Sequence, residues 1–459
     1  NLANLYYDHK QIEKSIYSYD CALKLDDTID YLLGISLFTH SRVCDWENRT
    51  DKIKKIIEKI DNKENVITPF PVISLIDDPG IQKQNTETYS KKFPRNFIFN
   101  RDLTVNDNKK IKIGYFSPDY KNHPIAYSVA ELFETHNREE FEVHAFYFGK
   151  KTQDKEYYRI KNGVDKFHEV THYTDEEIVN LSNRHKIDIA VDLCCYTAGH
   201  RTNIFAMSAA PIQVHHLYAG TMGTDYYDYV IADKVIIPET HKKYYRENIL
   251  YLPSWQANDS KKEVSTKIMT KKDFGIPEEV FVFCSFNNSY KITPEAFDLW
   301  SNILNQVPKS VLVLTSENQT TIQNLKNEIK SRGINPSRLI FVGNLKSPEH
   351  LARFKLMDLS LDTFPLNGGV TSSDSLRMGI PVVTYVGNTF GSRIGASVLT
   401  ALDLKELIAK TPKEYIEIAV EIAKKTKKFK SLKKKLKQNL QNSILFDTKL
   451  YCKHLEHAF

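Results

Sequence analysis

Hydrophobic positions divide the chain into a helical opening and two longer stretches where short apolar runs alternate with amphipathic segments. In the opening LANLYYDHKQIEKSIYSYDCALKLDD, Leu2, Leu5 and Tyr6, then Ile12, Ile16, Tyr19 and Leu23, recur at helix-face spacing, with a break near Asp8–Lys10. This pattern, over 1–40, reads as one tetratricopeptide unit, a helix pair that buries its apolar face only by stacking on neighbours. The chain opens on Asn1, in mid-pattern and without Met, so further repeats are expected to precede it. A helical linker region, 41–108, follows, with a helical stretch around Ser41–Ile60 that contains Cys44-Asp45-Trp46. The proline-rich, acidic patch Thr68–Gly80 reads as a connecting loop.

From Ile111 the period changes. Apolar, β-branched runs occur at Ile111–Phe116, Phe141–Phe148, Ile187–Leu193, Ile212–Leu217 and Tyr229–Ala232, with helical patterns such as Ala126–Phe133 and Thr174–Arg184 between them. After a polar interruption at Asn258–Lys272, runs resume at Val280–Phe286, Ser310–Thr315, Arg338–Val342, Leu359–Asp362 and Val382–Val386. Short apolar strands alternating with helices predict α/β lobes, each a parallel sheet covered on both faces. The expected layout is a first lobe over 109–257, a linker over 258–272, a second lobe over 273–440, and a tail, 441–459, packing back. The last helix is expected over Pro412–Leu440.

Open parallel sheets bind ligands at the carboxyl ends of their strands, so polar clusters directly after strand runs are candidates. Three stand out: Ser117–Pro124 with His123, Asn287–Lys291 with Asn288, and Thr363–Asp374. In the last, Gly368 and Gly369 let backbone approach a ligand, and Thr371, Ser372 or Ser373 can cap the helix that continues to Met378. A helix start offers unsatisfied N–H groups and a positive dipole end, which suits phosphate, although an ordinary capped turn fits the same residues. No GxxxxGK[ST] or GxGxxG motif occurs. Lys291 can neutralise a diphosphate as a compact charge, or be a surface lysine. His123, beside Pro124, can be a structural donor, and His350 and Arg353, three apart on one helix face, can lie on a solvated face. Cys194 and Cys195 read as small buried residues, with nothing basic beside them to stabilise a thiolate.

Composition narrows the class further. The 459 residues exceed one compact core, and 41% apolar with 26% charged is ordinary for a globular protein. No apolar run approaches the roughly 18 residues a membrane span needs, and no signal segment opens the chain. Six cysteines without a CxxC pair speak against a disulfide framework or a zinc site, and fit a reducing cytoplasm. Nine lysines and no acids fall between Lys424 and Lys437, and without them the net charge of +6 becomes −3. That stretch reads as a solvated helix face or a contact for an acidic partner. It lacks the interleaved aromatics of a nucleic-acid surface.

Taken together, the stretches IGYFSPDYKNHP, VDLCCYTAGHR with APIQ, FVFCSFNNSYKITPEAFDLWSNIL, SPEHLARFKLMDLSLDTFPLNGGVTSSDSLRMGIPVVT and GSRIGASVL resemble the O-GlcNAc transferase-like glycosyltransferases, including the Spindly type. The resemblance implies a GT-B fold of two Rossmann-like lobes behind a tetratricopeptide-type segment, with the donor held mainly by the second lobe. It implies an inverting transfer to Ser/Thr hydroxyls of a protein bound through the repeats. It also implies no required metal and no cofactor beyond the nucleotide sugar, UDP-GlcNAc by default. By the same resemblance Lys291 contacts the diphosphate, His123 lies near the reacting centre as base or orienting group, and Asn288 contacts the donor. His350 and Arg353 surround the nucleobase, Gly368, Gly369, Thr371 and Ser372 form the diphosphate loop, and Asp374 holds the ribose.

There are departures from the animal enzymes. Gly369-Val370-Thr371 stands where they carry His-Thr-Thr, Ser347 replaces a lysine, and Asn258–Lys272 leaves no room for their domain inserted between the lobes. GDP-fucose as donor, another GT-B enzyme such as an epimerase, and a non-catalytic repeat scaffold are the competing readings.

Overall fold

The computed structural model describes residues 2–98, 110–150 and 152–459, so the expected boundary at 108/109 lies outside the described residues. The chain forms two compact units, one of residues 86–262 with 442–459, the other of 1–85 with 263–441.

The first unit is built on a seven-stranded parallel sheet of β1 (Ile111–Ser117), β2 (Phe141–Tyr147), β3 (Lys166–Glu169), β4 (Ile189–Asp192), β5 (Ile212–His215), β6 (Tyr229–Ala232) and β7 (Asn248–Tyr251). Its order is β3-β2-β1-β4-β5-β6-β7. The second carries β8 (Phe281–Ser285), β9 (Ser310–Thr315), β10 (Leu339–Val342), β11 (Leu359–Leu361), β12 (Val382–Tyr385) and β13 (Ile408–Ala409) in the order β10-β9-β8-β11-β12-β13. Every pairing is parallel. Strand order therefore reverses once in each sheet, between β1 and β4 and between β8 and β11, and such switch points open a crevice at the strands' carboxyl ends.

Each apolar run noted in the sequence forms a strand. Strands β3, β7 and β13 were not foreseen, and all three are sheet edges, where one flank is unpaired and no continuous apolar run is demanded. Three helical expectations need correction. Ser41–Ile60 is not one helical stretch: helices Leu32–Arg42 and Arg49–Asp61 flank a loop holding Cys44-Asp45-Trp46, with Cys44 and Asn48 at positive φ. Thr68–Gly80 is not a loop throughout, because Pro69 and Pro79 sit at the first positions of helices Pro69–Leu75 and Pro79–Ser90, where a missing N–H costs nothing. The last long helix breaks at Lys425 into Pro412–Lys424 and Thr426–Asn439.

The C-terminal helix Thr448–Ala458 belongs to the first unit. It is tied there by Glu456, whose Oε1 accepts from Asn137 N at 2.7 Å and lies 3.0 Å from His136 Nδ1. Among the described residues no helix is long and apolar enough to cross a membrane.

Candidate active site

In the second unit, β8 and β11 lie side by side, and the chain leaving each at the switch point is laced to the other. Ile292 bridges Phe364, and Thr293 Oγ1 donates to Phe364 O at 2.9 Å. Lys291 closes a single 3-10 turn, Ser289–Lys291, and its Nζ donates to the carbonyl of Asn367 at 2.9 Å. That places an ammonium against the Pro365–Gly369 loop. Burial brings its pKa down to about 8, against the opposing pull of Asp362.

Asp362, at the end of β11, organises the loop from beneath. Its Oδ1 accepts from Gly368 N at 2.7 Å and Thr363 N at 2.9 Å, and its Oδ2 accepts from Thr384 Oγ1 at 2.8 Å. It is buried, and desolvation pushes its carboxyl up to about 6 despite these donors and Lys291. Asn367 donates to Thr363 O at 2.7 Å and accepts from Gly395 N at 3.1 Å, so the loop is fixed on both sides. Space at Gly368 is tight: a Cβ there would sit 2.7 Å from Ser372 Oγ and 3.0 Å from Asn287 Oδ1, so those side chains would have to shift.

The helix that follows is Val370–Arg377, with Gly369 at the N-cap and no side-chain cap. The expected cap from Thr371, Ser372 or Ser373 is thus corrected: these residues lie inside the first turn. The backbone N–H groups of that turn have no acceptor within the helix, and the helix dipole adds positive potential there. Ser372 and Asp374 are buried, while Thr371 is half-buried.

The turn bearing Lys291 is supported from the opening helices. Phe38 and Phe70 pack on Tyr290 with ring centroids at 5.3 and 6.1 Å. Ser289 Oγ donates to Arg42 O at 2.6 Å. Asp77 reaches the loop after β12, its carboxylate accepting from Thr389 N and Oγ1 and from Ser392 Oγ. Asn288 is exposed at the start of the same turn.

Beyond β10, helix Ser347–Arg353 carries His350 and Arg353. The solvated-face reading fails for Arg353, which is 2% exposed. Its guanidinium stacks over Phe286 at 4.3 Å, donates to Gly343 O at 2.8 Å and Thr315 Oγ1 at 3.3 Å, and meets His350 Nδ1 at 2.5 Å. Burial holds its pKa down to about 10. His350 lies edge-on to Phe286 and Phe354.

In the first unit, His123 stands at the carboxyl end of β1. It is the N-cap of helix Pro124–Thr135, and its Nδ1 accepts from Ile125 N at 3.3 Å, an acceptor role opposite to the expected structural donor. Asp119 Oδ2 is 3.7 Å from the same nitrogen, and burial, only partly countered by Asp119, lowers the imidazole pKa. The neutral ring with Nδ1 occupied carries its proton on Nε2. At the end of β4, which pairs with β1, Asp192 accepts from Cys194 N and Cys195 N, both at 2.9 Å, and from Tyr227 at 2.6 Å. Burial raises the Asp192 carboxyl and both thiols, so Cys194 and Cys195 are inert core residues.

Each unit thus places a buried aspartate on the strand just past its switch point, Asp192 on β4 and Asp362 after β11. Neither was singled out in the sequence. Two parallel, doubly wound lobes with polar loops at their switch points define the GT-B fold. The chain belongs to glycosyl transferase family 41, whose profile matches residues 87–262 and 255–455.

Among curated relatives, the probable UDP-N-acetylglucosamine–peptide N-acetylglucosaminyltransferase SEC of Arabidopsis thaliana is 30% identical over 92% of this chain and 46% of its own length. The probable SPINDLY enzyme of rice is 30% identical over 77% of this chain and 39% of its own. The chain therefore spans about half the length or less of these relatives. A mutant form of the O-GlcNAc transferase of Thermobaculum terrenum shares the fold at a TM-score of 0.84 and 24% identity, covering 100% of this chain and 88% of that one. Anabaena HepE, solved with UDP and glucose, shares it at a TM-score of 0.51 and 12% identity, over 76% of this chain and 100% of that one.

Proposed function

We propose that the chain transfers N-acetylglucosamine from UDP-N-acetylglucosamine to serine or threonine hydroxyls of a polypeptide, in one displacement with inversion. The activity named for the relatives supports the sugar, the nucleotide and the acceptor class. The observation that carries the site is the convergence at the second switch point: the Lys291 ammonium and the uncapped start of helix Val370–Arg377 flank one loop. Together they suit a diphosphate, which gathers negative charge as it leaves.

In this reading the leaving group is stabilised by Lys291 and by backbone N–H groups of Gly369–Ser372. Removing such a donor costs roughly 10²–10³ in turnover. His350, braced by the buried Arg353 and Phe286, takes the nucleobase, Asp374 the ribose, and Asn288 the donor's exposed side. His123 donates through Nε2 and orients a reactant rather than removing a proton, because Nδ1 already accepts from Ile125. The opening helices contribute to polypeptide recognition as part of a stacked repeat surface.

Calorimetric titration with UDP, GDP and CMP tests the donor assignment before any acceptor is known. UDP is expected to bind most tightly, and Lys291→Ala to weaken it. A GDP preference would shift the reading to a fucose donor, a CMP preference would end it, and release of an epimerised sugar would assign a different reaction.

A further inference from the structure

The period of two along β2 sends Phe141, Val143, Ala145 and Tyr147 into the core of the first unit and leaves Glu142, His144 and Phe146 on the opposite face. Strand β3 pairs with β2 so that His144 faces Lys166 and Phe146 faces His168. Phe167 packs on the core, so His168 shares the face of His144. Helix Asp175–His185 packs its Ile178 and Val179 inward and ends on His185. The outcome is three imidazoles at the β3 edge, each offering a ring nitrogen within 4.8 Å of the others. His144 Nδ1 and His168 Nε2 are 3.1 Å apart.

A hydrogen-bonded histidine pair would account for that last distance but not for the third ring. Two further features point to a ligand. Glu142 Oε1 lies 2.9 Å from His144 Nε2, which fixes the proton on Nε2 and turns the Nδ1 lone pair toward the cluster. A carboxylate behind an imidazole is the arrangement that orients metal-ligating histidines. The rings are also held in place: Phe146 stacks on His168 with centroids 4.6 Å apart, and Lys112 Nζ ties down His185 O at 3.1 Å. The facing cations are engaged with Glu142, Lys166 at 3.4 Å and Lys112 at 3.8 Å.

We propose that His144, His168 and His185 bind one divalent transition-metal cation of the zinc class, with Glu142 orienting His144. Zinc–imidazole bonds of about 2.0–2.1 Å in tetrahedral array require nitrogens roughly 3.3 Å apart, so small side-chain adjustments close the site. The cation clasps the edge strand β3 to β2 and to the end of the helix, leaving a fourth position for water. It takes no part in sugar transfer as assigned above. The ligands come from three separate elements and from imidazole alone, so cysteine spacing carries no trace of them.

The test uses the chelator-treated full chain, titrated with Co²⁺ by visible absorption and with Zn²⁺ by calorimetry. One Co²⁺ per chain is expected, with d–d bands of tetrahedral nitrogen–oxygen ligation, displaced by Zn²⁺, together with a rise in melting temperature. His168→Gln and His185→Gln should abolish this binding, and Glu142→Gln should weaken it about 10–100-fold. UDP binding should be unchanged in all three, which also reports that they fold. Absence of stoichiometric binding in the wild type, or its survival in folded His168→Gln and His185→Gln, overturns the proposal. So does a thiolate–cobalt charge-transfer band lost in Cys452→Ser, which would place the ion at the His136–Cys452–Glu456 group instead.

Discussion

Lys291 should lose its charge at a lower pH than an ordinary lysine, and the transferase should lose its donor with it. A free lysine titrates near 10.4. Burial against the Asn367 carbonyl brings Lys291 down to about 8, a shift equivalent to roughly 3 kcal/mol. In the proposed reading the ammonium is the form that meets the diphosphate, so function should be present below that value and lost above it. At pH 9 only about one chain in eleven retains the charge, and kcat/KM for the sugar nucleotide should fall about tenfold per further unit. Asp362, pushed up to about 6, is ionised at neutral pH and favours the ammonium. Asp362→Asn should therefore move the alkaline limb to lower pH. Lys291→Arg should flatten the limb at whatever rate remains, because a guanidinium stays protonated. The assay is initial-rate donor hydrolysis from pH 6.5 to 9.5, paired with UDP calorimetry in buffers of different ionisation heat. Above pH 8, binding of UDP should be coupled to uptake of a proton, since the negative charge of the diphosphate restores the ammonium. A flat profile to pH 9.5, or one limb shared by wild type, Asp362→Asn and Lys291→Arg, refutes this account.

Other expectations follow from the same geometry. Gly368→Ala should weaken UDP binding by about 1–3 kcal/mol through overpacking against Ser372 and Asn287, with the circular dichroism spectrum kept; unchanged UDP affinity contradicts it. Phe38→Ala should destabilise the second unit by about 3 kcal/mol, seen as a lower urea midpoint, and should also loosen UDP binding through Tyr290. Arg353→Lys should lower UDP affinity at least tenfold, since one ammonium cannot reproduce the stacked fork to Gly343, Thr315 and His350; calorimetry at constant pH decides. His123→Asn should retain most of the donor-hydrolysis rate because asparagine also caps a helix, whereas a loss of 10²–10⁴ with the acidic limb abolished would make His123 the base.

The central strands were legible because a strand covered on both faces must be apolar along its length, as in Val282–Ser285 and Ser310–Leu314. The edges β3 and β7 carry Lys166, Glu169 and Asn248 and leave no such trace. Lys291, His123 and the Gly368-Gly369 loop were legible for a related reason: polar residues directly after an apolar run advertise a strand's open end. Asp192 and Asp362 carry the same local signature, yet nothing in it separates them from ordinary strand-terminal acids. Their importance arises only when β4 and β11 cross back beside β1 and β8 and bury the carboxylates under loops whose N–H groups need an acceptor.

The support of Lys291 by the opening helices is hidden more deeply. Phe38 and Arg42 lie about 250 residues before Tyr290 and Ser289, with Phe70 somewhat nearer, and a helical pattern that signals partner recognition says nothing of a turn it will abut. Physically, a buried ammonium needs a rigid turn. A 3-10 turn of three residues cannot supply that rigidity alone, because its hydrogen bonds are few and poorly aligned. Packing Tyr290 between two phenylalanines fixes the turn, and Asp77 fixes the neighbouring loop after β12 in the same way. The helical segment is therefore structurally part of the second unit. A change in those helices need not touch the acceptor to alter transfer, since it reaches Lys291 through Tyr290.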